Sequence, residues 1–164
     1  MSGVNVQLAE NQRKINSALS AAQSGLECGK YIVAAVTLAS TGDNTVSVDQ
    51  ANTAWTTFCQ HVQDTALSGK TVPPPTRFTD SSGSGDQIVT PSINFGSTNT
   101  DFAMRFYRYD DDPHIIKLQS TGTDREVTRQ INMDMVISKD SKVLNYAIAG
   151  RGRMWLTGNS TIHG

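Results

Sequence analysis

The sequence predicts an α+β domain in which a long N-terminal helix and a second helix pack on an antiparallel β-meander. Apolar residues recur every three or four positions through the first third of the chain, and the same period returns after a break that contains glycine. Beyond residue 86 the period changes to two, which is typical of half-buried strands. Because the helices come first and the strands follow, an α+β fold is favoured over alternating units. The length suits one domain, 1–164.

The first helix is predicted over 4–39, within a helical part that covers 1–69. Its apolar side carries Ile15, Ala18, Leu19, Ala22, Leu26, Ile32, Val33 and Val36. Such a helix is a rod about 50 Å long, much longer than the average globular helix of about 11 or 12 residues. Its first turns, 4–14, are nearly all polar. We therefore expect a partner outside this sequence to support them.

Small residues lie on or near the apolar side of this helix, and they allow another backbone to approach closely. They include Ala18, Ala22, Gly25 and Gly29. One interpretation is close packing of the helix on the sheet. The other is an assembly face that contacts helices of other subunits.

The second helix is predicted over 47–68. Ser47 is followed three residues later by Gln50, which is the signature of a capping box. Gly69 stands where a C-terminal cap belongs.

Each predicted helix carries one cysteine, Cys28 and Cys59. A disulfide between them would close a loop of about 32 residues and stabilise the fold by roughly 3–4 kcal/mol. The alternative is a pair of buried thiols, each on the apolar side of its own helix.

Residues 70–86 are predicted to be a linker, since three consecutive prolines are followed by a run of serine and glycine. The antiparallel sheet is predicted over 87–149. Its strands are expected at 87–95, 101–107, 116–119, 126–137 and 143–149, with turns at 110–113, 121–124 and 139–142. The last segment, 150–164, consists of short strand pieces punctuated by glycine, a pattern typical of the start of a parallel β-helix.

The residues indicate no catalytic, metal or cofactor site. The net charge is -1, and without a concentrated basic face nucleic acid is a poor partner. The three histidines, His61, His114 and His163, do not accompany a nucleophile in a recognisable arrangement. No C-x-x-C or H-E-x-x-H motif occurs. We expect a protein that is not an enzyme.

One strand carries a candidate binding patch. Arg105, Tyr107 and Tyr109 alternate along its polar face, and exposed tyrosine with arginine can bind a sugar or a protein. This favours, as an alternative function, an exported β-rich module that binds a glycan or protein ligand. Ordinary cross-strand pairing is the other interpretation of these side chains.

Residues 18–27, ALSAAQSGLE, resemble the segment after the membrane helix of PilX-type type IV pilus assembly proteins, where the run reads A-L-x-A-A-E-S-G-L-E. Gln23 stands where the family usually has an acid. Residues 156–162 are similar to glycine-punctuated repeats of large bacterial surface proteins. The resemblance implies a pilin-like or pseudopilin-like structural or assembly subunit of a type IV pilus or related envelope system.

The partners implied by this resemblance are other pilin or envelope subunits. The family's processing site, membrane-spanning run and early helix glutamate are absent from this sequence, and no secretory signal is visible. The resemblance therefore implies that a hydrophobic helix upstream of residue 1 anchors the protein. It also implies a periplasmic or extracellular location, where the protein contacts the membrane only through that helix.

Overall fold

The computed structural model has two helices packed against one antiparallel sheet. The structure describes residues 2–36, 45–97 and 99–138. The elements are α1 (Ser2–Ala34), α2 (Val48–Asp64), β1 (Thr76–Asp80), β2 (Gly83–Val89), β3 (Ile93–Ser97), β4 (Thr100–Tyr109), β5 (Ile115–Asp124) and β6 (Val127–Val136). The predicted α+β class, with a long first helix and a second helix, is confirmed.

The strands form a meander with one interruption. Their order is β1-β2-β4-β5-β6, all antiparallel, and β3 pairs with the same edge of β4 as β2 does. The strand predicted over 87–95 is therefore two strands, separated by Thr90, Pro91 and Ser92. Proline has no N–H to donate to a ladder. Thr90 maintains the pairing instead, because its N–H donates to Met104 O at 2.8 Å and its hydroxyl accepts from Met104 N at 2.9 Å.

The linker predicted over 70–86 is wrong for most of its length. It contains β1 and the first part of β2, joined by a turn in which Asp80 Oδ1 accepts from Ser82 N at 2.8 Å. β1 is exposed at the sheet edge, and its residues other than Phe78 are polar, so hydrophobic alternation does not reveal the hairpin. Cross-strand pairing stabilises the hairpin: Arg77 donates to Asp86 at 2.8 Å and also pairs with Asp110 on the β4–β5 turn.

The turn predicted at 121–124 is also wrong, because β5 continues through Asp124. The turn consists of Arg125 and Glu126 instead, and Arg125 has a positive φ of 54°. Gly122 lies in the strand and faces α1. The helix predicted over 4–39 ends at Ala34, and residues 37–39 lie outside the described residues. The predicted turn at 139–142, strand at 143–149 and β-helix segment 150–164 lie outside them as well.

The backbones of α1 and β5 lie in close contact. A Cβ atom on Gly122 would collide with the backbones of Ala18 and Ala22, and one on Gly29 would lie 2.6 Å from Leu118 Cδ2. Such distances leave no room for a Cβ atom at Gly122 or Gly29 unless the neighbouring atoms move. The small residues of α1 therefore let the helix backbone lie almost directly on the sheet.

The second helix packs on the same face of the sheet through aromatic side chains. The capping box is confirmed: Gln50 N donates to Ser47 Oγ, and Ser47 N donates to Gln50 Oε1. The Phe58 ring meets Phe106 edge-on, with centroids 4.9 Å apart. The guanidinium of Arg108 lies 5.4 Å from the centroid of Trp55 and donates to Asn52 at 2.8 Å. The C-cap residue is Thr65 rather than Gly69.

An ion-pair cluster attaches α1 to the β5–β6 turn. Lys14 Nζ lies 2.8 Å from Glu126 Oε1 and 3.6 Å from Glu10 Oε1, and Arg125 lies 3.4 Å from Glu10. The hydrogen bond to Glu126 raises the pKa of Lys14, and the hydrogen bond from Lys14 lowers the pKa of Glu126. These contacts mark the point at which the helix leaves the sheet.

We predict that Gly122→Ala destabilises the protein much more than Gly29→Ala. The first substitution pushes a methyl group against helix backbone, and overpacking of this kind costs about 1–3 kcal/mol. The second displaces only the tip of Leu118 and gains about 1 kcal/mol of helix propensity. Chemical denaturation of both variants measures the difference. Thr121→Ala, which changes the opposite face of the same strand, is the control, and equal losses for all three variants would contradict the close contact.

We predict that acid weakens the attachment of α1 through Glu126. A carboxyl group with a lowered pKa in the folded state contributes stability above its unfolded pKa, about 4.3, and loses it as the pH falls through the folded value. Melting temperatures measured from pH 7 to pH 2.5 should therefore fall less steeply for Glu126→Gln than for the wild type. Asp110, whose pKa is lowered by the hydrogen bond from Arg77, supplies part of the remaining acid sensitivity. Glu27→Gln, which removes an exposed carboxylate that pairs with Lys30 within α1, is the control.

Candidate functional site

The predicted assembly face of α1 lies against the sheet. Ala18 and Ala22 are fully buried, and Gly25 and Gly29 are buried against Phe102 and Leu118. An assembly face at these four residues is therefore wrong, because the domain's own sheet occupies the surface that a second helix would need. Close packing on the sheet, the other interpretation, explains them.

In the structure Cys28 and Cys59 are free thiols, so the alternative of two separate thiols describes them and the possible disulfide does not. Each side chain packs into or against the core from its own helix. Burial raises the pKa of Cys59 to about 12 and raises the pKa of Cys28 as well. Both thiols act as small apolar groups in the core.

The residues of the predicted binding patch come together on the sheet face opposite the helices. Along β4, even-numbered residues such as Phe106 are buried beneath the helices, whereas the odd-numbered residues are only half-buried. Arg105, Tyr107 and Tyr109 therefore share this open face. Arg108, their neighbour in sequence, points to the helix side and contacts Trp55.

Phe78 of β1 completes the group, and we call Phe78, Arg105, Tyr107 and Tyr109 the open-face cluster. The three aromatic rings lie 5.4–5.9 Å apart between centroids and meet at steep angles of 66–86°. The Arg105 guanidinium lies 4.4 Å from the centroid of Tyr107 and 5.0 Å from that of Phe78. Such cation–π contacts orient an arginine without neutralising it.

Two polar side chains, Gln87 and Asp80, accept hydrogen bonds from the open-face cluster. Arg105 Nε donates to Gln87 Oε1 at 2.6 Å, and the Tyr109 hydroxyl donates to Asp80 Oδ2 at 3.2 Å. Lys117 also lies on the open face, where it pairs with Asp134 at 2.9 Å. The cluster is thus a rigid patch of aromatic surface with a guanidinium at its centre.

Sequence reasoning missed Phe78 because the residue falls in the predicted linker. Phe78 lies over Gly85 of β2, where an added Cβ would come within 2.8 Å of the ring. A glycine opposite an aromatic residue on a paired strand is a known arrangement for covering exposed backbone. The signal in the sequence was a single aromatic residue between Arg77 and Thr79, which is too short a pattern to identify a strand.

A second concave region, about 410 Å³ in volume, lies between α2 and the β1–β2 hairpin. It is lined by Asn52, Trp55, Arg77, Asp86 and Arg108, among others. Its charges compensate one another, because Arg108 lies 3.6 Å from Asp86, and Arg77 pairs with both Asp86 and Asp110. These contacts tie α2 to the sheet and leave no uncompensated charge for a ligand.

Among the residues that the structure describes, no three His, Cys, Asp or Glu side chains form a group that could hold a metal ion. His114 Nε2 lies 2.9 Å from Val46 O, a contact that connects the β4–β5 turn to the residues before α2. Within the same residues, neither helix has the length and apolar composition needed to cross a bilayer. No protein-family model matches the chain, and no curated protein or solved structure is significantly similar to it.

We predict that a thiol reagent detects two free thiols per chain in denaturant without reductant. In the native protein at pH 8, Cys59 should react very slowly, because its pKa of about 12 leaves almost no thiolate. Cys28, which is only half-buried, should react faster. The single variants Cys28→Ser and Cys59→Ser assign the two phases. Absence of free thiol in the unreduced, unfolded protein would mean that the cysteines are paired after all.

Proposed function

We propose that this chain is a non-enzymatic structural or assembly subunit of a type IV pilus-like or related envelope system, and that it acts through contacts of its first helix. The supporting observation is the projection of α1 beyond the sheet. Residues 4–13 are all exposed, including Val4, Val6 and Leu8, whose exposed fractions are 71, 66 and 67 %. Apart from the Glu10 side chain, which lies 3.4 Å from Arg125, no hydrogen bond or ion pair between residues that the structure describes joins this part of the helix to the sheet.

The exposed apolar residues continue the buried face of the helix. Positions 18, 25 and 32 pack against the sheet and repeat every seven residues, and the same repeat taken backward reaches Asn11 and Val4. A second seven-residue series runs from Gly29 through positions 22 and 15 to Leu8. Two interleaved series of this kind form the contact stripe of packed helices. The stripe thus extends about three turns past the surface that covers it.

The proposal is that a surface of another protein buries this stripe. An isolated helical segment of about ten residues is marginal in water, and most helical stability in proteins comes from packing of an apolar face. A helix from another subunit would bury Val4 and Leu8 along the same line that the sheet buries Ala18 and Ala22. The resemblance of residues 18–27 to PilX-type pilus assembly proteins agrees with this role. The proposed partners are other pilin or envelope subunits, at a periplasmic or extracellular location.

We predict that Val4→Ser combined with Leu8→Ser abolishes assembly without unfolding the domain. Both side chains are exposed and remote from the core, so the melting temperature should be unchanged. Asn5→Ser combined with Gln7→Ser, on the same turns of the helix, is the matched control. Photocrosslinking from a probe at position 11, which lies on the same stripe and is unchanged in both variants, measures the contact in cells of the source organism, and fractionation then locates the protein.

The wild type and the control variant should crosslink to other envelope subunits and sediment with the envelope fraction. The Val4→Ser, Leu8→Ser variant should lose both signals. Recovery of the wild type as a freely dissolved cytosolic protein, with no crosslink from position 11, would overturn the proposed function.

A further inference from the structure

We propose that the open-face cluster is a binding site for an extended peptide segment that carries a carboxylate, and that Arg105 holds this carboxylate. Ligand binding by Arg105, Tyr107 and Tyr109 is the alternative function that the sequence favours. The proposal is independent of the assembly role, because α1 and the cluster lie on opposite faces of the sheet.

Within the described residues, Arg105 uses one of its three guanidinium nitrogens in a hydrogen bond. Its Nε atom is used by Gln87, at 2.6 Å, and its plane lies over the rings of Tyr107 and Phe78. Within the described residues, its two terminal nitrogens have no hydrogen-bond partner and no carboxylate within ion-pair distance. Two parallel N–H groups on a planar guanidinium match the two oxygens of a carboxylate. The free end of Arg105 therefore presents a bidentate donor pair.

This donor pair is held in place before any ligand arrives. The two rings and the amide of Gln87 restrict the arginine on three sides. An arginine that is already ordered loses less side-chain entropy when it binds. Arg105 should therefore lose less side-chain entropy on binding a ligand than a freely moving surface arginine would.

The other charged groups around the cluster are already satisfied. Lys117 pairs with Asp134 at 2.9 Å, and Asp80 accepts a hydrogen bond from the Tyr109 hydroxyl. Among the described residues of this patch, Arg105 is therefore the cation that lacks a carboxylate partner, whereas Asp80 keeps its negative charge at the Tyr109 end. Charge complementarity requires an anionic group on the ligand.

The apolar surroundings favour a peptide over a saccharide. The rings of Phe78, Tyr107 and Tyr109 meet edge to face, and Arg105 covers Tyr107, so the cluster lacks a flat open ring on which a sugar could stack. Val89 lies directly opposite Arg105 in the β2–β4 register and is 42 % exposed. An aliphatic side chain, aromatic edges and a guanidinium suit an acidic residue flanked by apolar residues.

The test uses an array of nine-residue peptides in matched sets, each with Glu, Gln or Lys at the centre between apolar residues. A second array carries neutral and uronate-containing oligosaccharides. The full chain should bind Glu peptides about tenfold more tightly than their Gln partners, as a charge-assisted pair implies. Arg105→Gln should reduce this ratio to about one. Lys117→Gln, on the same face but already paired, should leave the ratio unchanged.

Val89→Asp provides an independent variant that keeps the arginine. It places a carboxylate beside Arg105 and should compete with the Glu peptides, which lowers their affinity at least as much as Arg105→Gln does. Melting temperatures of all variants establish that the domain is folded. Equal binding of Glu and Gln peptides would overturn the role of the carboxylate. Binding to uronate oligosaccharides in preference to every peptide, or to neither array, would overturn the peptide site.

Discussion

The backbones of α1 and β5 approach each other so closely at Gly122 that no side chain fits between them. The contact requires small residues on the helix as well, and Ala18 and Ala22 supply them. A long helix is thereby fixed on the sheet from Lys14 onward, where Lys14 pairs with Glu126. The position of every other surface follows from this docking.

The docking divides α1 into two parts with different surroundings. From Lys14 onward the small residues are covered by the sheet, so they are not available to other proteins. The preceding turns carry the same seven-residue stripe, with Val4 and Leu8 exposed. A feature that resembles an assembly motif in the sequence thus has a structural role inside the domain, and the surface proposed for assembly lies nearer the start of the helix.

The docking also gives the two sheet faces different chemistry. Arg105 and Arg108 are three residues apart on β4 and point to opposite faces. Arg108 lies among Trp55, Asn52 and Asp86 and attaches α2 to the sheet. Arg105 lies on the open face, where aromatic rings orient it but no described carboxylate pairs with it. The surroundings of each side chain, rather than its residue type, distinguish a structural arginine from a candidate binding group.

The sequence alone determined the fold class, because helical and strand periodicities are local patterns that burial on one side imposes. It also located the capping box at Ser47 and the alternation that puts Arg105, Tyr107 and Tyr109 on one face. It could not identify the β1–β2 hairpin, which is held by contacts such as Arg77 with Asp86 and Phe78 over Gly85, between residues seven to nine positions apart. Only the tertiary structure decided that Ala18, Ala22, Gly25 and Gly29 meet the sheet, that Cys28 and Cys59 stay apart, and that Arg105 lacks a partner. These features depend on which surfaces become neighbours in space, and periodicity along the chain does not determine that.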